Sequence, residues 1–416
     1  MTQAAVRVDA GRLTGDLSAL SAFGRTLSGG VSRTSYSAAD GLARDWLAAR
    51  CADAGFSVRV DGLGNIFARL TPAGADRSLP AVWTGSHLDS VPNGGMLDGA
   101  LGVVGALECL RRLKEEQVAL RRSVQLVVFA DEEGCYSHLL GSTGLALGLT
   151  RQELAARRGR DGGELLAALA AAGLDPDAAA STRLDPADVH AFVELHIEQG
   201  PVLESGGIDI GVVTSIVGIG GALVEFIGRA DHAGTTPMQA RQDALQAAAE
   251  FLVSLPEAAA AASDHAVITC GLISVAPGAT NVVPGSAALQ LDFRDVSMTL
   301  LEVLRDKIVN RAESAAARCS VTAKLSFDNM VRPVTLDAGI EAAIEDAARS
   351  FGYSTCRMPS GAGHDTQNIA RITRAGMIFV PSVNGRSHTP EESTKAADLE
   401  RGANVLLETV TKLCRY

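Results

Sequence analysis

Short apolar runs that read as buried strands alternate along this chain with segments of helical period, and the runs end repeatedly in loops that carry histidine or carboxylate. Alternation of this kind constrains the fold to a mostly parallel sheet, because parallel neighbours need a crossover that is usually a helix. In the clearest case the run Ala81–Thr84 enters the stretch GSHLDSVPNGGMLDG, Gly85 to Gly99, and a helical segment from Ala100 to Lys114 follows. Ligand sites of open α/β sheets sit at such strand ends. His87 and Asp98, an imidazole and a carboxylate on an irregular loop, suit a divalent cation such as zinc. Asp89 stands where it could accept the other ring N–H of His87. The competing reading is a polar loop whose Asp and Asn side chains cap turns.

The pattern recurs downstream. The run Val124 to Ala130 delivers Asp131-Glu132-Glu133-Gly134, Ala191 to Leu195 delivers His196-Ile197-Glu198-Gln199, and Met377 to Val380 precedes a loop holding His388. Four of the eight histidines, His87, His196, His364 and His388, fall in such loops, a concentration that favours one shared site over scattered structural roles. Adjacent carboxylates after a buried strand can divide labour, with Glu133 ligating a cation while Glu132 takes a proton from the attacking water. A solvated acidic turn is the alternative.

From Gly211 the texture changes to β-branched alternation up to Ile227. A helix over Met238 to Leu255, strands over Ala266 to Val275 and Ser286 to Arg294, a helix over Leu300 to Ala317 and a strand over Ser320 to Phe327 come next. These elements make an inserted α+β domain. The expected organisation is a catalytic domain in two parts, residues 1–210 and 331–416, around an insertion at 211–330. The fold class is α/β, a mostly parallel mixed sheet with helices on both faces. The formal charge of −11 argues against nucleic acid or an anionic membrane as main partner. Seven cysteines without a C-x-x-C pair, and a first twenty residues without a basic region before an apolar core, lead to the expectation of a cytoplasmic protein.

Eight segments, in order GVSRTSYSAAD, GSHLDSVPNGGMLDGALGV, FADEEG, HIEQGPVLE, GRADHAGTTPM, NVVPG with DFRD, PSGAGHD and PSVNGRSHTPEE, span residues 30–392. Together they resemble the dinuclear metallo-amidohydrolases related to carboxypeptidase G and aminoacylase, most closely the branch of N-carbamoyl-L-amino-acid hydrolase, β-ureidopropionase and allantoate amidohydrolase. The resemblance implies two divalent ions per subunit, zinc first, with manganese, cobalt or nickel as alternatives. It implies that Asp98 bridges them, that His87 and His196 bind one, that Glu133 and His388 bind the other, and that Glu132 is the general base. It makes the insertion a dimerisation or lid domain of a homodimer and implies that His232 stabilises an oxyanion, usually in the partner's site. Asn281 and Arg294 resemble the holders of a substrate carboxylate, although an ion pair of Arg294 with Asp292 or Asp295 is an equal reading of the residues alone. His364 and Gln199 resemble further substrate contacts, and Asp365 could orient His364 or cap a helix.

The implied activity is cleavage of the carbamoyl C–N bond of an N-carbamoyl-L-amino acid, with allantoate or, more remotely, a dipeptide or N-acyl amino acid as the alternative small-molecule substrate. The chain departs from the branch's usual pattern at Met96-Leu97, at Cys135-Tyr136-Ser137-His138 and at Thr366. These departures leave the implied ligands intact and place the expected difference in substrate side chain, above all at Met96-Leu97.

Overall fold

The computed structural model describes residues 6–415, and residues 1–5 and 416, which include the start of the N-terminal segment read above, lie outside it. Two compact units divide at Thr214/Ser215 and Thr335/Leu336, four and five residues beyond the expected 210/211 and 330/331, and the strand Ile210–Ile216 spans the first of these points.

Strands β1 (Ser57–Val60), β2 (Ile66–Leu70), β3 (Ala81–His87), β4 (Val124–Phe129), β5 (Val189–Ile197) and β6 (Ile210–Ile216) precede the insertion. Within it lie β7 (Gly218–Ile227), β8 (Val267–Ala276), β9 (Ser286–Asp295), β10 (Thr322–Phe327) and the two-residue β11 (Val334–Thr335). After it come β12 (Thr355–Ser360) and β13 (Ala375–Val380). The larger sheet runs β1-β2-β4-β3-β5-β13-β6, with β12 also paired to β6. Its centre, β4-β3-β5-β13, is parallel, and the flanking pairs β2–β4 and β13–β6 are antiparallel.

The central strands read as unbroken apolar runs because both faces are covered. Val82, Leu126, Val128, Val193 and Leu195 enter one core, with the helices Ala100–Glu115 and Ala396–Arg415. Trp83, Val127, Phe129 and Phe192 enter another on the opposite face. Ser37 caps the helix Ala38–Asp53 by accepting from the Asp40 N–H, as its sequence pattern predicts.

The insertion is a four-stranded antiparallel sheet, β10-β7-β9-β8, whose inward residues meet the helices Ala244–Ala260 and Met298–Arg318 around Phe226, Phe251, Phe293 and Ile308. The first of these helices was expected from Met238 to Leu255. It starts at Ala244 because the Asp243 carboxylate caps Leu245 and Gln246, and it runs past Pro256 because Ala258 and Ala259 are buried in this core.

Two strands are longer than the sequence indicated. β3 extends to His87 and β5 to Ile197, so His87 and His196 are strand residues and not loop residues. A Cβ at Gly85 would stand 1.8 Å from the Val127 carbonyl oxygen on the neighbouring strand. Gly85→Ala therefore forces β3 and β4 apart, and urea unfolding should show a loss of about 3 kcal/mol or more, in the range of strained backbone and core substitutions.

Candidate metal centre

Every expected ligand of the larger unit lies at the C-terminal edge of its parallel strands. His87 ends β3, His196 stands next to the end of β5, Glu132 and Glu133 follow β4, and His388 lies on the loop after β13. Asp98 arrives just before the helix Ala100–Glu115. Its two oxygens face different partners. Oδ1 lies 3.4 Å from His87 Nε2 and 3.2 Å from His196 Nε2, and Oδ2 lies 3.1 Å from His388 Nε2. Glu133 Oε1 is 3.6 Å from His388 Nε2, and Glu132 Oε2 is 3.7 Å from His87 Nε2.

The tautomers follow from the opposite ring nitrogens. His87 Nδ1 is 3.0 Å from the Asp89 carbonyl and His196 Nδ1 is 2.9 Å from the Ile197 carbonyl, and a carbonyl can only accept. Both Nδ1 atoms therefore carry hydrogen, and in the neutral rings both Nε2 atoms bring a lone pair beside the Asp98 carboxylate, that of His196 also accepting from the Gly99 N–H at 3.2 Å. Lone pair facing lone pair is repulsive unless a proton or a cation lies between them. Glu133 Oε1 is buried without a hydrogen-bond partner. Among the described residues, His87, Asp98 and His196 form one group whose ligand atoms lie within 4.8 Å of one another, and Asp98, Glu133 and His388 form a second. This donor set fits divalent metal, with Asp98 common to both groups.

The electrostatics agree. Burial opposes charge on His87, yet Glu132, Asp98 and Asp89 outweigh it and hold the imidazole well above its ordinary pKa. Burial likewise opposes charge on Asp98, and contacts from His196, His388 and His87 hold it well below the carboxylate range. His388 is raised to about 9, first by its bond to Asp98. Burial raises Glu132 well above its usual value and, with Asp98 adding to it, raises Glu133 to about 7. The cluster thus draws positive charge toward itself, as an ion-binding site does.

A third group, Glu194, His196 and His364, is less suited to metal. Glu194 is already bonded to the Ser86 hydroxyl at 2.6 Å and to the Thr366 hydroxyl at 2.5 Å. His364 is buried, packs edge-on to His196 with ring centroids 4.5 Å apart, and lies 2.9 Å from the Ser360 hydroxyl. It backs the His196 ring in this arrangement. Asp365 is also buried, at the start of the short helix Thr366–Ile369. Gln199 donates to Asp98 Oδ2 at 2.8 Å, and its Oε1 is buried without a partner. Asp131, Leu139, Gln199 and His388 all have positive φ, the backbone strain that tends to collect at working sites.

The Asp89 carboxylate does not take the His87 ring proton, as the sequence had suggested, because the Asp89 carbonyl does. Its oxygens accept instead from the backbone N–H groups of Glu132 (3.3 Å) and Glu133 (3.0 Å). Glu392 does the equivalent work on the other side, accepting from the N–H groups of Leu97 (2.9 Å) and Asp98 (3.1 Å) and from the Ser387 hydroxyl (2.8 Å). Sequence reasoning passed over Glu392; its position four residues after His388, in a loop that must return to Asp98, was the available signal. Met96-Leu97 is also placed differently from expectation. Leu97 is 4% exposed and belongs to the sheet core, and Met96 packs against it, so this pair faces the interior.

His232, Asn281 and Arg294 belong to the smaller unit. His232 is exposed, and its Nδ1 accepts from the N–H groups of Gly234 (3.0 Å) and Thr235 (3.2 Å), which leaves Nε2–H as a donor. Asn281, also exposed, accepts through its carbonyl from the Ala233 N–H. Arg294 forms a two-pronged ion pair with Asp292, at 2.8 and 3.2 Å.

A parallel sheet that gathers imidazoles and carboxylates about one shared aspartate, beside a carboxylate able to move a proton, defines a metal-dependent hydrolase. The chain matches peptidase family M20/M25/M40 over residues 83–412 and belongs to that family, whose members hydrolyse amide C–N bonds. It is 42% identical over 388 residues to an N-carbamoyl-L-amino-acid amidohydrolase of Paenarthrobacter aurescens, covering 93% of this chain and 94% of that one. Identity to an allantoate amidohydrolase of Bacillus subtilis (strain 168) is 35% over 402 residues, 95% of each chain. The crystal structure of a hydantoinase/carbamoylase family amidase from Burkholderia multivorans superposes with a TM-score of 0.92 at 33% identity, covering 99% of both chains.

Replacing Glu392 by alanine strands the Leu97 and Asp98 N–H groups and frees the loop that carries Asp98. Chelator competition should show divalent-metal affinity about 10- to 100-fold weaker, the usual cost of losing a group that orients a ligand.

Proposed function

We propose that this protein hydrolyses the carbamoyl C–N bond of N-carbamoyl-L-amino acids, converting substrate and water to the free amino acid, ammonia and carbon dioxide. The observation that carries the reading is Asp98, shared by two three-residue groups with Glu132 alongside. The carbamoyl substrate itself is supported by the 42% identical relative's name. Two divalent ions, zinc first and manganese, cobalt or nickel otherwise, would be held by His87, Asp98 and His196 and by Asp98, Glu133 and His388. Such ions supply Lewis acidity and bring the pKa of water down toward about 7.

Glu132, buried and raised in pKa, accepts a proton from the attacking water and returns it to the leaving nitrogen. His232 of the partner subunit, with Nε2–H free to donate, stabilises the oxyanion. Asn281 and Arg294 hold the substrate carboxylate, Arg294 exchanging Asp292 for a ligand of the same charge and fork geometry. Gln199 offers its unpartnered Oε1 to a substrate N–H, and His364 completes the pocket behind His196.

A homodimer is supported by the sheet edge at β8, where Val267, Leu272 and Ile273 are exposed; edges of this kind ordinarily find a partner or protection. A cytoplasmic location is supported by seven unpaired thiols. Among the described residues no helix is long and apolar enough to cross a membrane.

The second reading, allantoate amidohydrolase, rests on the Bacillus relative. A panel of N-carbamoyl amino acids, allantoate and dipeptides, read by ammonia and amine release with each candidate metal, separates the two; absence of ammonia from every ureido compound would refute both. Glu132→Gln should retain metal and lose at least about 100-fold in kcat, whereas Glu133→Ala should lose metal. Mixing inactive His232→Ala and Glu132→Gln chains should restore partial activity in heterodimers, and no recovery would count against a role across subunits.

A further inference from the structure

The segment Gly30–Ser37, GVSRTSYS, has no part in the reaction as described, yet it lies directly against the strand end that carries His87. Arg33 is 1% exposed; its Nε donates to the Leu88 carbonyl at 2.6 Å and its Nη1 to the Leu20 and Phe23 carbonyls at 3.1 Å each. The Arg33 N–H donates to the Ser90 hydroxyl and the Ser90 N–H to the Arg33 carbonyl, both at 2.9 Å. The segment is thereby fixed to Leu88–Ser90 through backbone and side chain together.

Two residues on, the buried Ser35 hydroxyl donates to Asp89 Oδ2 at 2.9 Å and also faces Asp131. Asp89 and Asp131 are both fully buried. Asp89 accepts from the N–H groups of Glu132 and Glu133, and Asp131 from those of Cys135, Tyr136 and Ser137 at 2.7, 3.0 and 2.9 Å. The two carboxylates thus hold the two halves of the turn that presents the glutamate pair. Ser35 fastens them from a separate segment that Arg33 has already anchored.

We propose that Ser35 is a positioning residue for Glu132 and Glu133, acting through Asp89. The inference rests on the reading of Glu133 as a metal ligand and Glu132 as the proton-transfer group. Without the hydroxyl, Asp89 loses a donor from outside the turn and its carboxylate gains freedom to rotate. The Glu133 carboxylate then wanders from its place beside His388, and Glu132 from its place beside His87. A cavity of about 210 Å³ lined by Ser35, Ser90, Val91 and Cys135 leaves room for one added methyl group, so Ser35→Thr can keep the hydroxyl in place.

The test compares Ser35→Ala, Ser35→Thr and, as a control on the neighbouring residue, Thr34→Ala. Metal-free protein is titrated with zinc against a chelator, and kcat and KM are measured at saturating metal. Ser35→Ala should weaken zinc binding at least tenfold and lower kcat about tenfold with KM changed less than twofold, as expected for loss of a ligand-orienting contact. Ser35→Thr should recover both to within about threefold, and Thr34→Ala should match wild type. Wild-type zinc affinity and kcat in Ser35→Ala would overturn the proposal, and so would a Ser35→Thr as impaired as Ser35→Ala in a folded protein. Should Ser35→Ala fail to fold, Ser35→Cys, with a weak donor in similar volume, replaces it under the same criteria. Zinc affinity is read without substrate, so a wild-type enzyme inactive on every ureido compound would refute the proposed function and leave this test standing.

Discussion

The Asp98 carboxylate meets three imidazole nitrogens, and in the neutral rings two of them, His87 and His196, bring lone pairs to it, with only the Gly99 N–H donating to that of His196. That arrangement is unfavourable for the bare side chains at neutral charge, and the surrounding protein is built to impose it. The Asp89 and Ile197 carbonyls take the Nδ1 protons and so aim the Nε2 lone pairs inward. Glu392 fixes the backbone on which Asp98 rides. An uncompensated cluster of this kind stores affinity for a cation, since the desolvation cost of the carboxylates is incurred in folding and the ion then enters a site already formed.

The sheet makes the convergence possible. Four parallel strands end on the same edge, and their burial on both faces leaves little freedom to slip, because a shift of one residue exchanges the residues facing the two cores. Rigid strands therefore place His87 and His196, and short fastened loops place the rest. The fastening repeats one device. A buried carboxylate outside the two candidate ligand groups accepts backbone N–H groups from a loop that carries one of their members: Asp89 from Glu132 and Glu133, Glu392 from Leu97 and Asp98. Such bonds depend on backbone position and not on the side chain held.

Much of this was legible in the sequence. Alternating apolar runs gave the parallel centre of the sheet, and the polar residues at their ends gave the cluster around Asp98. What escaped was information that lives in three-dimensional neighbours. The extension of β3 to His87 comes from its pairing with β4, since no apolar residue marks it. Strand β12, paired to β6, carries arginine and proline and has a weak strand pattern of its own. Whether Asp89 would serve its own ring or a distant turn could not be read from spacing, because the carbonyl and the carboxylate of one residue compete for the same assignment.

The same distinction explains how the departures from the usual pattern are tolerated. Leu97 contributes its N–H to Glu392, so the side chain is free to vary provided it fits the core. His138 donates from Nδ1 to the Glu132 carbonyl at 2.6 Å, and the Leu139 N–H shares that acceptor, so the altered turn carries an added clasp on the proposed base. Thr366 supplies a hydroxyl to Glu194, which would otherwise have that oxygen bonded only to the Thr366 N–H. Cys135 and Arg160 line open space beside Glu133, whereas Leu97 lies in the core and Met96 packs against it.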